Sequence, residues 1–361
     1  MIWGTLPCGI RYLGVTKLVG SVSPDEHFVK QKLSDPIFAP HLIWLRETKG
    51  VRLEATEATT GNLSMMPRAS VIGIGEILWD VFPDRPRFGG APANFACCVA
   101  ELARDRIDVY TAGGVGADDL GRRAIEALHA HGVDTSCVAV VDRPSGQVLV
   151  KLDAAGRASY EFAADAAWDN VAWSEKLQQL AARADAVCFS TLGQRSEISR
   201  QTIQRFVRAT PAKCLRVLDI NLRPPLWNEA IVLQSLQLAN VLKVNDAELS
   251  VLADMLGWIG VGHELLQQLV ERFSLQLVAL TRGASGAALL SESGEHSDLP
   301  GQPTVVVDTV GAGDSFAAAL VVGLLSGLPL ATINAWGNRV AAFVSSQSGA
   351  TPQLPDHLHR P

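Results

Sequence analysis

Between Val71 and about Ser346 the chain alternates short apolar runs with longer helical stretches, and that alternation leaves few folds open. A run such as Val71-Ile-Gly-Ile-Gly75 is apolar throughout, which suits a strand covered on both faces rather than one with a wet side. Strands are expected near 71–75, 109–113, 186–190, 215–219, 241–244, 275–281, 286–290 and 303–307. Helices are expected near 92–103, 118–131, 173–183, 196–209, 246–256, 262–273, 314–326 and 330–346. Strand and helix in turn predict an α/β fold, a mostly parallel central sheet flanked by helices on both faces. Two stretches break the rhythm. Trp79 to Phe88 and Gln147 to Phe162 read as extended ribbon, the second turning at Ala155-Gly156, and are expected to form a small β lid.

The 361 residues, 48% of them hydrophobic, are enough for one large core. A net charge of -6 with no Lys/Arg-rich run offers no footprint for nucleic acid or an anionic membrane, so the expected partner is a small molecule. Six cysteines without a C-x-x-C pair read as reduced thiols of a cytoplasmic protein. The longest apolar stretch, Ala317 to Leu325, falls short of the roughly 20 residues a membrane span needs. Met1 to Ser23 lacks the basic region and compact apolar block of a secretory signal. Residues 1–66 show no clean period and end in a polar run. They are expected to be an N-terminal extension, either disordered or a misassigned start with Met65 as the first true residue. The domain proper is expected at 67–350, with 351–361 as a C-terminal tail.

Gly311-Ala312-Gly313-Asp314 stands between the expected strand 303–307 and the helix that follows. A helix N-terminus offers unpaired N–H groups and the positive end of the dipole, and glycines let an anion come close to them. A carboxylate in that first turn puts a proton acceptor beside a bound phosphate, as transfer to a hydroxyl requires. The residues alone equally allow Asp314 to be a helix cap and the glycines a tight turn. There is no Walker lysine and no G-x-G-x-x-G run.

Asp308-Thr-Val-Gly-Ala-Gly-Asp314, followed by Ser-Phe and a small-residue helix, resembles the C-terminal signature of the PfkB-type, ribokinase-like carbohydrate kinases. Phe88-Gly-Gly-Ala-Pro-Ala-Asn-Phe-Ala96 resembles their N-terminal signature, and Gly114-Val-Gly-Ala-Asp-Asp-Leu-Gly121 the stretch after it. Together the resemblance covers roughly 70–350. It implies a ribokinase-like fold, with ATP and Mg2+ as cofactors. It also implies Asp314 as the general base and the amides of Gly311, Ala312 and Gly313 as the anion hole.

Lys243-Val-Asn245-Asp-Ala-Glu248 is suited both to a capping box and to ordering hydrated Mg2+. The family carries Asn-x-x-Glu at this point, which implies water-mediated metal contacts from Asn245 and Glu248 and places Lys243 and Asn245 near ATP. Asp219-Ile-Asn-Leu-Arg223-Pro-Pro-Leu-Trp227 puts three polar side chains on one side of an extended segment, and resembles fructokinases and 2-keto-3-deoxygluconate kinases. Asp80, Gly89, Gly90, Asn94 and Arg223 are expected to contact the sugar, with Glu76 either a ligand or bonded to backbone. Thr281-Arg282-Gly283-Ala-Ser-Gly286 matches the family's turn near ATP, and Asn338 its adenine-proximal region. Asp308 is expected to bind a monovalent cation such as K+ or to orient its loop. Many relatives pair through their lids, which implies a homodimer.

The expected reaction is ATP-dependent phosphorylation of a sugar primary hydroxyl, most simply fructose to fructose 6-phosphate. The nearest alternative substrate, 2-keto-3-deoxygluconate, needs a cation for its carboxylate, for which Lys151 and Arg157 are the candidates. Trp168-Asp169 belongs to neither pattern. A non-catalytic sugar or nucleotide sensor is the alternative of another class, although a mere binder has no use for Asp314. His129, His131, His357 and His359 lack ligand-spaced partners for zinc.

Overall fold

The structure, a computed structural model, describes residues 68–82, 85–152 and 158–361 and, before them, the backbones of four short strands. The chain divides into two units, Met1–Ser64 and Met65–Pro361. In the first, β1 (Ile2–Thr5) pairs antiparallel with β2 (Arg11–Gly14), and β3 (Phe28–Gln31) with β4 (Ile43–Arg46). The expectation of disorder or of a misassigned start falls on residues otherwise outside those described, as do Arg157 and the side chain of Lys151.

The second unit opens with β5 (Ala69–Ile74), β6 (Leu78–Val81), β7 (Pro86–Gly89) and α1 (Ala91–Ala103). There follow β8 (Ile107–Gly116), α2 (Asp119–Ala130), β9 (Asp134–Val141), β10 (Gly146–Leu152), β11 (Ala158–Phe162) and α3 (Glu175–Ala182). The middle comprises β12 (Ala186–Ser190), α4 (Glu197–Ala209), β13 (Leu215–Asp219), α5 (Glu229–Leu238), β14 (Val241–Asn245) and α6 (Asp246–Leu256). The unit closes with α7 (His263–Phe273), β15 (Leu277–Thr281), β16 (Ala287–Ser291), β17 (His296–Leu299), α8 (Ala312–Leu325) and α9 (Leu330–Ser345).

Among the described residues the central sheet runs β17-β16-β15-β14-β13-β12-β5-β8-β9, parallel from β15 to β9 and antiparallel at β16 and β17. Alternate residues of each strand feed two cores. Val71, Cys188, Val217 and Val241 face the layer of α1, α2, α8 and α9. Ile72, Val187, Leu218 and Leu242 face the layer of α3 to α7. Both faces are therefore dry, which is why the strands read as unbroken apolar runs. Side-chain caps set several helix starts: Asp118 accepts from Gly121 N, Ser174 from Leu177 N and Asn228 from Ile231 N. Helix α8 is buried along most of its length against α1 and α9, and its alanines let the three axes approach closely.

The expected small sheet is present, in the order β11-β10-β6-β7. The expected strand at 303–307 is absent. Val305, Val306 and Val307 are exposed, and the nearby amides of Val307 and Asp308 both donate to Ser345 O at the end of α9. The β-branched run has no neighbouring strand to pair with, so its propensity goes unused. Residues after 350 pack onto the domain: Leu354 and Leu358 join the α1–α9 core, and Trp336 Nε1 donates to Leu358 O at 2.7 Å.

Candidate active site

Because β5, β12, β13 and β14 run parallel, their C-terminal ends share one edge of the sheet, where open α/β folds bind ligands. Register places Ser190 beside Asp219, and Asp219 beside Lys243. Lys243 Nζ donates to both oxygens of Asp219 at 3.0 Å, and both residues are buried. Burial alone would lower the Lys243 pKa, but the carboxylates of Asp219, Glu248 and Asp314 outweigh it and hold the ammonium charged. Lys243 was expected near the nucleotide. In the fold it sits under the glycine turn, and a Cβ on Gly313 would come within 2.8 Å of its Nζ.

Just past β5, Glu76 is fully buried, accepting from Ser190 Oγ at 2.9 Å and standing 3.4 Å from Asn221 Nδ2. Burial pushes its carboxyl up to about 7, against the hydrogen bonds that favour the anion. The folded state thus prefers protonated Glu76. Its contribution to stability is full below about pH 4.5 and is lost as pH rises through about 7. Glu76→Gln is expected to raise Tm over wild type at pH 8 and leave it unchanged at pH 4.5, with an upper limit of roughly 3 kcal/mol at about 1.4 kcal/mol per pH unit. Equal Tm differences at both pH values in thermal melts would disprove this.

Gly311 opens α8 at φ 82°, a left-handed conformation that disfavours any side chain, and a Cβ there would lie 2.5 Å from Ala350 O. The amides of Ala312 and Gly313 follow in the first turn, with Asp314 behind them. Asn94, one turn into α1, donates from Nδ2 to Asp314 Oδ2 at 2.8 Å, across 220 residues of sequence. Its Oδ1 is a buried acceptor without a protein partner. Desolvation, then the Asp219 carboxylate, push Asp314 up to about 6, while Lys243, Asn94 and Arg223 pull the other way. Arg223 is exposed, yet near enough for its charge to favour the anionic forms of Glu76, Asp80 and Asp314. Asp80, on β6, is pushed by burial up to about 6. Gly89 pairs with Leu78 in the small sheet, and Gly90 is the N-cap of α1. Asp80, Asn94, Arg223 and Asp314 therefore lie within electrostatic reach of one another at one end of the sheet.

Asn245 and Glu248 form the capping box: Asn245 Oδ1 accepts from Glu248 N at 2.8 Å, and Glu248 Oε2 from Asn245 N at 2.9 Å. Glu248 Oε1 also accepts from Leu222 N at 3.1 Å, tying α6 to the Arg223 loop. Thr281 is in register with Asn245 on β15, beside the Gly283 turn that Arg282 N closes by donating to Gly286 O at 2.8 Å. The Arg282 guanidinium is turned to Asp298 of β17. Asn338 donates to Asn334 O and Oδ1, and Asn334 in turn donates to Ala287 O and to Ser297, so the pair binds α9 to the sheet. Asp308 orients its loop, accepting from Val310 N and Gly349 N at 3.1 Å.

Residues 83–357 match a family model described as pfkB family carbohydrate kinase. The chain belongs to that family. A relative is the fructokinase of Klebsiella pneumoniae, 32% identical over 313 residues, covering 80% of this pfkB kinase and 97% of the relative. A sugar kinase of Pyrococcus horikoshii solved in complex with ATP has a TM-score of 0.66 at 28% identity, over 78% of this chain and 94% of that one. Aminoimidazole riboside kinase of Salmonella enterica has a TM-score of 0.67 at 25% identity, over 80% of this chain and 98% of that one. As a pfkB kinase the chain is a phosphotransferase acting on a sugar, with the ribokinase-like fold. No helix among its described residues is long and apolar enough to cross a membrane.

One residue of this pfkB site escaped the sequence. Arg87 of β7 pairs with Asp308 at 3.2 Å and lies 4.1 Å over the Phe82 ring. The signal was there in part, since Arg87 immediately precedes the Phe88-Gly-Gly motif. Trp168-Asp169, by contrast, is a buried corner: Asp169 accepts from Arg195 at 2.8 and 2.6 Å, and the guanidinium lies 4.0 Å over the Trp168 ring.

Proposed function

We propose that this pfkB kinase transfers the γ-phosphoryl group of ATP to a primary hydroxyl of fructose, giving fructose 6-phosphate and ADP. The observation that carries the proposal is the placement of Asp314, a carboxylate held up to about 6, between the amides that open α8 and the amide of Asn94. The sugar oxygen forms its bond to phosphorus as the bond to the β-phosphate oxygen breaks, and the hydroxyl proton passes to Asp314. Charge developing on the transferred group meets the N–H groups of Gly311, Ala312 and Gly313, with the Lys243 ammonium beneath them. Asp80 and the free Oδ1 of Asn94 offer acceptors for sugar hydroxyls, and Arg223 offers a cation at the same space.

Asn245 and Glu248 fit an outer-sphere role toward Mg2+. Each of their acceptor oxygens already takes a backbone N–H, and among the described residues no three His, Cys, Asp or Glu side chains form a metal cage. Waters of a hydrated ion are what such oxygens order. When bound, the metal supplies charge neutralisation at the β- and γ-phosphate oxygens.

Fructose is favoured over other sugars by the fructokinase of Klebsiella pneumoniae among the relatives and by the Asp219-x-Asn221-x-Arg223 segment. ADP release should be measured over fructose, 2-keto-3-deoxygluconate, aminoimidazole riboside and ribose. Fructose is expected to give kcat/KM at least about tenfold above the others, the scale of one or two well-placed hydrogen bonds. A higher value for another sugar would replace fructose, and no release with any sugar would remove the ATP-dependent reaction.

A further inference from the structure

The α1 helix begins at the reaction site and ends in a second cleft. Its C-terminal end, with the residues that follow and the 356–360 segment, encloses about 650 Å³, within the range of small-molecule sites. Arg104, Arg106, Arg360, His357 and His359 line it, against the single carboxylate of Asp356. Among the lining side chains three guanidinium groups stand against one carboxylate, with the Glu101 carboxylate within electrostatic reach of His359.

Two observations show that the polar groups of this cleft are not all satisfied internally. The His359 side chain is only 9% exposed, and neither ring nitrogen has a hydrogen-bond partner. Asp356 Oδ1 stands 3.7 Å from Nδ1, beyond hydrogen-bond length. A buried imidazole with both nitrogens orphaned is costly unless something fills the cleft. Arg104 pairs with Asp356 at 2.6 Å, but the two are 57% and 94% exposed, a kind of pair worth little and easily exchanged for a better acceptor. The helix C-terminus itself repels anions, yet Arg106 covers it, donating to Leu102 O at 3.0 Å and Ala103 O at 3.1 Å.

We propose that this cleft, whose lining cations outnumber its carboxylates, binds a small phosphate monoester through Arg104, Arg106, Arg360 and His359. Guanidinium forks suit the planar spread of phosphate oxygens, and an N–H of His359 finds there the acceptor it lacks. Leu102 and Ala103 at the end of α1 add an apolar part to the lining of the cleft. The ten residues from Asn94 to Arg104 put it about 15 Å along α1 from the reaction site, at 1.5 Å per residue.

The test is calorimetric titration of the full chain, with a non-hydrolysable ATP analogue saturating the reaction site. Inorganic phosphate and glycerol 3-phosphate are the titrants. Saturable binding is expected, weakened at least about tenfold in Arg104→Gln/Arg360→Gln and severalfold in His359→Gln. Arg104 and Arg360 are exposed, so their double variant is expected to fold and to keep wild-type sugar phosphorylation. Absence of saturable binding to wild type, or unchanged affinity in the arginine double variant, overturns the proposal.

Discussion

Asp314→Asn is expected to lower kcat at least about a hundredfold, the usual worth of a positioned general base, while the KM for ATP changes only a few-fold. Asparagine keeps the volume and still reaches the Asn94 side chain, so the loss isolates the proton acceptor. The wild-type pH profile carries the same information. Burial and the Asp219 carboxylate oppose the charged form and put the Asp314 pKa at about 6. Only the deprotonated carboxylate can accept a proton, so kcat/KM should fall about tenfold per unit below pH 6 and level off above it. Near-wild-type turnover in the asparagine variant, or a flat profile from pH 5 to 7, would exclude Asp314 as the base.

The second large effect is on stability. Lys243→Met strands the Asp219 carboxylate in the interior without its ammonium partner, and breaking a buried pair in this way costs about 3–5 kcal/mol. At roughly 2–4 °C per kcal/mol, Tm should drop by about 10 °C. Lys243→Met/Asp219→Leu removes the orphaned charge as well and is expected to recover most of that loss, since apolar replacements of buried pairs are often neutral. Activity should not return, because the cation beneath Gly313 is gone. A double variant melting as low as the single one would show that the pair is not the source of the loss.

The strands at 186–190 and 215–219 and the helix at 246–256 are found where they were expected, because each is marked locally. The strands are unbroken apolar runs, and Asn245 with Glu248 writes the helix start into the sequence as a capping box. Elements without such marks were missed. β9 mixes Asp, Thr and Ser with its valines because it is the sheet edge, covered only in part. In α5, Ala-Ile-Val-Leu runs apolar without a 3.6-residue stripe, and β17 begins on a polar triplet. Thr304 to Val307 failed in the opposite sense, strong in strand propensity but lacking a neighbour.

The site divides in the same way. Gly311 to Asp314 stood out because glycine, glycine and carboxylate fall in one helical turn. The partners that shape their chemistry are not local. Asn94 reaches Asp314 across 220 positions, and Arg87 reaches Asp308 across 221. Only the packing of α1 on α8, and of β7 beside the loop before α8, brings them together. The same holds for Lys243, whose place in the sequence suggested the nucleotide and whose place in the sheet makes it the counter-ion of Asp219.

The odd and even residues of the strands drain into different cores, and this has a consequence for how the molecule can change. One layer, α1 with α8, carries Asn94 and Asp314; the other, α3 to α7, carries most of the opposite face. Substitutions in separate layers share few partners and lie far enough apart for their effects to add. The face built on Phe206, Leu236 and Leu266 can thus be redesigned for thermal tolerance with little effect on the Asn94–Asp314 pair, provided the α6 start at Asn245 and Glu248 is kept.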